Sequence, residues 1–129
     1  MHAFVERLIR QFTSVALGVA AILVPLGFAG IEPSLLLALG PAGIAGLLLA
    51  NRQRLLALHD SDFWAIHVET LWIGPALAAS ILVVFGSLTS GEMQTIGAVV
   101  GLLGMVNYLL RPVYLLVDSI FARLFALAA

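Results

Sequence analysis

Residues 63–85 read FWAIHVETLWIGPALAASILVVF, and this stretch decides the class of protein. A helix needs about 20 mostly apolar residues to cross the hydrocarbon core of a bilayer, which is about 30 Å thick. The run is long enough to do so, and it carries a histidine, His67, and a carboxylate, Glu69. The stretch therefore predicts a membrane span with two ionisable side chains inside it.

The composition of the whole chain agrees with a membrane protein. It has 129 residues, of which 62% are hydrophobic and 10% are charged, whereas about a quarter of the residues of a soluble domain are charged. Further apolar runs cover about 12–30, 34–50 and 95–117. We predict a single all-α integral membrane domain, 1–129, with four transmembrane helices. Because the 34–50 run is short, the first two runs either both span or form a re-entrant hairpin.

The arginines predict how the spans are oriented. Cytoplasmic loops of membrane proteins carry an excess of basic residues. The basic residues lie before the first span, after the second, and at or beyond the end of the fourth: Arg7, Arg10, Arg52, Arg54, Arg111 and Arg123. Both termini are therefore expected in the cytoplasm. Use of Arg without Lys, in a chain rich in Ala and Leu, indicates a GC-rich bacterial genome, so the predicted location is the bacterial inner membrane.

The N-terminal segment MHAFVERLIRQF is amphipathic, with its apolar residues towards one side. This pattern predicts a short helix lying in the cytoplasmic interface of the membrane. The sequence Gly27-Phe28-Ala29 has the small-x-small form of a signal-peptide cleavage site. We nevertheless expect the preceding apolar run to be a retained span.

Glycine strips indicate where helices approach closely. Gly97 and Gly101 form a GxxxG pattern that Gly104 extends, and Gly40 with Gly43 begins a second strip. In lipid, small residues let helix backbones come together. The strips predict helix packing within the chain, self-association, or contact with other membrane subunits.

The ionisable residues within the spans lie at a similar depth. Counted at about 1.5 Å per residue, Glu69 lies roughly 9 Å and Arg111 about 6 Å from the cytoplasmic edge, with Asn107 about one turn deeper. A carboxylate there is costly unless it is paired, protonated or facing water. We therefore predict an intramembrane Glu69–Arg111 ion pair with Asn107 and His67 nearby. The polar residues that precede this span are predicted to cap a helix at the surface: His59, Asp60, Ser61 and Asp62.

Several functional classes are disfavoured. The chain has no cysteine, and a net charge of -1 argues against a nucleic-acid partner. His59 and His67 would lie about 12 Å apart along a helix, too far to bind one metal ion together. No catalytic constellation is recognisable, so we expect neither an enzyme nor a metal site. A haem b bound by His67 and by a second ligand from a partner subunit is the cofactor left open.

The run GPAGIAGLLLANRQRLLALHDSDFWAIHVETLWIGPAL resembles small bacterial membrane proteins that are distantly similar to the four-helix subunit of the chloroplast protein-import machinery. In that family a Pro-containing span leads into a basic stretch and then into an acidic-aromatic segment with a histidine. The matching positions are Gly40, Pro41, Arg52, Arg54, Asp62, Phe63 and His67. Leu71-Trp72 replaces the Asn-Phe pair usual in the family. The resemblance covers less than half of the chain, and it implies a four-helix membrane fold and no reaction.

Three functions follow as hypotheses. The leading one is a non-catalytic structural or assembly subunit of a larger membrane complex, because the loops are too short for an independent active site. The first alternative is an oligomeric proton or ion channel or transporter that uses the Glu69–Arg111 pair. The second is a haem- or quinone-binding anchor of an electron-transfer complex, through His67.

Overall fold

The computed structural model describes residues 2–58 and 61–128, with Phe63 described by its backbone alone. Within that part of the chain all regular structure is α-helical, which confirms the predicted all-α class. The helices are α1 (His2–Phe28), α2 (Leu35–Ala50), α3 (Arg52–Ala57), α4 (Asp62–Thr70), α5 (Ile73–Val84), α6 (Ser90–Leu109) and α7 (Arg111–Ala128).

Fewer than four helices meet the length and hydropathy expected of a span. In the described residues, His2–Phe28 and Trp64–Val84 are long and apolar enough, and α6 with α7 makes a third if this bent pair is one span. With 16 residues, α2 is about 24 Å long at about 1.5 Å per residue. It is thus shorter than a hydrocarbon core of about 30 Å.

The N-terminal segment is not a separate interfacial helix. It continues without a break into the first apolar run, so that α1 has 27 residues. This helix ends in a Schellman motif, in which the N–H of Ile31 donates to the carbonyl of Leu26 and the N–H of Gly30 to that of Gly27. Gly30 takes the left-handed conformation of the motif, with φ 72°.

Two prolines explain the break between α4 and α5 and the break between α6 and α7. Pro75 has no N–H to donate to the carbonyl of Leu71, and α4 and α5 are separated at Leu71 and Trp72. Pro112 likewise leaves the carbonyl of Tyr108 without its usual helical donor. There α6 gives way to α7, and the two helices are bent by 48°.

The central helix is α1, which packs against α4, α5, α6 and α7, whereas α2 packs mainly against α5. It runs antiparallel to α6, because Ala16 lies beside Gly104 while Leu23 lies beside Gly97. It runs parallel to α4 and α5, since Arg7 meets Glu69 and Gly18 meets Gly74. The buried apolar core is formed by Val19, Leu23, Ala38, Ala78, Leu82 and Met93.

The glycine strip of α6 lies against α1. A Cβ atom added at Gly101 would stand 2.8 Å from Cβ of Ala20, and one at Gly104 would stand 2.7 Å from Cβ of Ala16. At Gly97 the added atom would meet Leu23 at 2.8 Å. These three glycines therefore set the close approach of the two helices.

The second glycine strip, on α2, is open. No neighbouring atom of the described residues lies within 4 Å of a Cβ atom added at Gly40, Gly43 or Gly46. The opposite side of α2 faces the bundle through Ala38, Pro41 and Ala45, all of which are buried. The open strip thus plays no part in packing among the described residues of the chain.

Candidate functional site

Charged side chains gather at one end of the bundle, where α1 begins and α6 ends. Arg7 of α1 donates to the carboxylate of Glu69 on α4, with 2.5 Å between Nη2 and Oε2. Half of the Arg7 side chain and 39% of the Glu69 side chain are exposed. The pair joins α1 to α4 at the rim of the bundle.

Glu6 holds two arginines through one carboxylate oxygen. Arg10, one turn along α1, donates to Oε1 of Glu6 at 2.6 Å, and Arg111 at the start of α7 donates to the same oxygen. The side chains of all three are less than one third exposed. Glu6 therefore ties α1 to the junction of α6 and α7.

The ion pair predicted between Glu69 and Arg111 is wrong in its pairing. Both residues lie at the predicted end of the bundle, but Glu69 meets Arg7 and Arg111 meets Glu6. The physical reason is that α1 packs against both α4 and α7 and presents a charge of the required sign to each. The prediction missed Glu6 and Arg7 as partners because it assigned their segment to the membrane interface.

Asn107 also bonds to α1. Its side-chain amide donates to the carbonyl of Ile9 and to the hydroxyl of Thr13, both at 3.1 Å. The Thr13 hydroxyl in turn donates to the carbonyl of Gly104 at 3.1 Å. This network fastens α6 to α1 one turn deeper than the Glu6 ion pairs.

His67 lies on the wall of a groove that does not include Asn107. The groove has a volume of about 380 Å³ and lies along α1, with α4 on one side and α6 on the other. It is lined by Arg10, Thr13, Ser14, Leu17, His67 and Tyr108. The structure thus divides the predicted cluster, because His67 lines this groove whereas Asn107 lies in the contact between α1 and α6.

A larger groove, of about 580 Å³, lies between α1 and α7. Its lining is apolar except for Asn107, Tyr114 and Asp118. Asp118 is buried and bonds to Nδ1 of His2, which links α7 to the start of α1. Asp118 was not singled out from the sequence, although a carboxylate within the apolar run VYLLVDSIF could have indicated an interhelical contact.

The predicted cap of the span is described in part. Ser61 is the N-cap residue of α4, but its side chain makes no capping hydrogen bond, and Asp62 lies in the first turn. There its carboxylate is favoured by the positive end of the helix dipole. His59 and Asp60 lie outside the described residues. In the described part of the chain, no three His, Asp or Glu side chains come together as metal ligands.

Comparisons of the chain with protein-family models, with curated proteins and with solved structures found no match.

Proposed function

We propose that the chain is a multi-pass protein of the bacterial inner membrane with both termini in the cytoplasm. The length and hydropathy of α1 and of Trp64–Val84 support this location. The antiparallel packing of α1 and α6 brings the N-terminus and the start of α7 to the same end of the bundle. In this arrangement α2 is the second of four spans in chain order. It is shorter than the hydrocarbon core, and the bilayer accommodates it by local thinning.

Within that membrane the proposed role is a non-catalytic structural or assembly subunit of a larger complex. The open glycine strip of α2 carries this proposal. The chain uses one glycine strip to bring α6 against α1, while the strip of Gly40, Gly43 and Gly46 offers the same smooth surface with none of the described residues packed against it. In lipid such a surface favours close contact with a helix. A transmembrane helix of another chain is the occupant that fits.

The polar residues support a structural role. Glu6, Arg7, Glu69 and Arg111 each bond to a residue of another helix, and Asn107 bonds to α1. The channel or transporter alternative was based on a Glu69–Arg111 pair. Glu69 bonds instead to Arg7, and Arg111 bonds to Glu6. The haem or quinone anchor stays a prediction that depends on His67, and the visible spectrum of the purified chain tests it.

Cysteine labelling tests the membrane topology, because the natural chain has no cysteine. In intact cells stripped of their outer membrane, a membrane-impermeant maleimide should label a Glu32→Cys variant. A Gln53→Cys variant should be labelled only after the cells are lysed. Equal labelling of both variants in intact cells contradicts the proposed topology.

Purification in mild detergent tests the subunit role. The tagged chain should co-purify with partner chains in a fixed ratio, and Gly43→Leu should abolish this association by filling the open strip. Ala42→Leu is the matched control, since residue 42 is also exposed but lies about 100° around the helix at 3.6 residues per turn. Loss of partners in both variants, or in neither, contradicts the role assigned to the strip.

A further inference from the structure

The helix α7 turns its apolar face away from the bundle. At about 100° per residue, six apolar side chains of α7 fall within an arc of about 100° and form an outer stripe: Val113, Leu116, Val117, Ile120, Leu124 and Leu127. Their exposed fractions run from 44% to 85%. Arg111 and Asp118 lie on the opposite side of the helix, where they bond to Glu6 and His2 of α1. The polar side of α7 is thus the side that docks on the bundle.

This orientation is the reverse of that in a water-soluble bundle. A surface helix in water turns its apolar stripe to the core and its polar side to solvent. A contiguous exposed apolar patch indicates contact with another protein or with a membrane. The medium or partner that covers the outer stripe of α7 is therefore apolar and lies outside the described residues.

The groove between α1 and α7 gives the level of the outer stripe in the membrane. Its walls include Val117 and Phe121 of α7 and Val5 and Phe12 of α1. Counted at about 1.5 Å per residue from Phe28, where α1 ends, Phe12 lies about 24 Å and Val5 about 35 Å away. One edge of a hydrocarbon core of about 30 Å therefore falls between these two residues, and the first half of α7 lies at that edge.

Two observations favour lipid over a second protein chain as the cover of the outer stripe. The exposed apolar surface continues across the groove onto Phe4, Leu8 and Phe12 of α1, and α1 is itself long and apolar enough to be a span surrounded by lipid. Arg123 is exposed and lies about 20° around the helix from Leu116, at the margin of the stripe. From a margin the stem of an arginine covers apolar surface while its guanidinium reaches headgroups or water.

We propose that α7 binds the lipid interface, lying along the cytoplasmic surface of the membrane with its outer stripe among the acyl chains. The inference depends on the membrane location proposed above. The bend of 48° turns α7 away from the direction of α6, and Arg111 and Asp118 hold its other side to α1. Amphipathic helices in this position bury their apolar face about 5–10 Å into the boundary of headgroups and acyl chains.

Fluorescence quenching of the full chain in vesicles of phosphatidylcholine and phosphatidylglycerol tests the proposal. The natural chain has no cysteine, so Leu124→Cys and Ala122→Cys each accept one environment-sensitive nitrobenzoxadiazole label. Both residues are exposed, but they lie about 200° apart around the helix. Phospholipid with a nitroxide near the glycerol end of its acyl chain should quench the label at Leu124 several-fold more strongly than the label at Ala122. Aqueous iodide should show the reverse preference.

Three results would overturn the proposal. One is equal quenching of the two labels by the nitroxide lipid. Another is a label at Leu124 that is shielded from iodide yet not quenched by the nitroxide lipid, which would mean that a protein chain covers the stripe. The third is stronger quenching at Leu124 by a nitroxide at the methyl end of the acyl chain, which would place α7 inside the hydrocarbon core.

A label at Leu77→Cys separates this proposal from the membrane location. Leu77 is 44% exposed and lies near the middle of Trp64–Val84. A nitroxide at the methyl end of the acyl chain should quench its label if Trp64–Val84 spans the membrane. Quenching at Leu77 with none at Leu124 overturns the proposal for α7 alone, whereas the absence of quenching at both positions refutes the membrane location as well.

Discussion

Gly27→Ala is expected to destabilise the bundle more than any other single-methyl addition at a glycine of the described chain. Gly27 lies near the end of α1, directly against the first turns of α6. An added Cβ atom would stand 2.6 Å from the carbonyl oxygen of Ser90, 2.7 Å from the backbone nitrogen of Gln94 and 2.5 Å from its Cβ. Ordinary contacts of a Cβ atom begin at 3.4 Å.

The loss of stability in Gly27→Ala follows from how far α1 and α6 must separate. Two of these neighbours are backbone atoms of a helix, so no side-chain rotation relieves the overlap. The ends of α1 and α6 would have to separate by roughly 0.8 Å to restore a 3.4 Å contact. Overpacking of this kind typically costs about 1–3 kcal/mol, and the better helix propensity of alanine returns at most about 1 kcal/mol. We therefore expect the free energy of unfolding to fall by about 1–2 kcal/mol.

Unfolding by sodium dodecyl sulfate from mixed micelles, followed by the fluorescence of Trp64 and Trp72, measures this change. Gly43→Ala is the matched control, because an added Cβ atom there has nothing within 4 Å. This control should leave the free energy unchanged or raise it by up to about 1 kcal/mol. If Gly27→Ala is as stable as Gly43→Ala, the close packing of α1 against α6 is refuted.

Four further substitutions distinguish the polar contacts and the turn in the same unfolding assay. Glu6→Gln should cost about 1.5–3 kcal/mol because two guanidinium groups lose their shared carboxylate. Glu69→Gln should cost at most about 1 kcal/mol because its ion pair is more exposed. Equal costs of the two substitutions would contradict the central role of Glu6. Thr13→Val should cost about 1.2 kcal/mol, because two hydrogen bonds to α6 are lost and such a bond between membrane helices averages about 0.6 kcal/mol. A gain in stability would contradict these hydrogen bonds of Thr13 with Asn107 and Gly104. Gly30→Ala should cost more than about 1 kcal/mol because of its positive φ, and an unchanged stability would argue against the Schellman motif.

The sequence predicted the positions of these polar residues along the bundle better than it predicted their partners. Residues per turn and rise per residue place Glu69, Asn107 and Arg111 near one end of the bundle, and all three make interhelical contacts there. Their partners lie on α1, and the side of the bundle to which each helix packs is a property of the tertiary structure. A count of residues along two spans gives the depth of a side chain but not the direction in which it points around the helix. For this reason Glu69 was paired with the wrong arginine.

The N-terminal segment shows why an amphipathic pattern is ambiguous. Its apolar residues predict a helix in the membrane interface, and Phe4 and Leu8 are indeed exposed. Ile9, however, is 5% exposed and accepts a hydrogen bond from Asn107 through its carbonyl. The same periodicity suits a helix that lies on lipid and one that continues a span and packs on its neighbours. The choice depends on whether other helices reach that face, as α6 and α7 do here.

The contacts of α1 change along its length from ion pairs to close contacts with glycines. Near its start, ion pairs from Glu6 and Arg7 hold α7 and α4. Beyond Thr13, close contacts with glycines hold α6. Charge pairs at a rim depend on ionic strength, whereas glycine contacts depend on shape alone. Salt should therefore reduce the difference between Glu69→Gln and the natural chain while leaving the effect of Gly27→Ala unchanged. A salt response shared by both variants would show that one kind of interaction governs the whole helix.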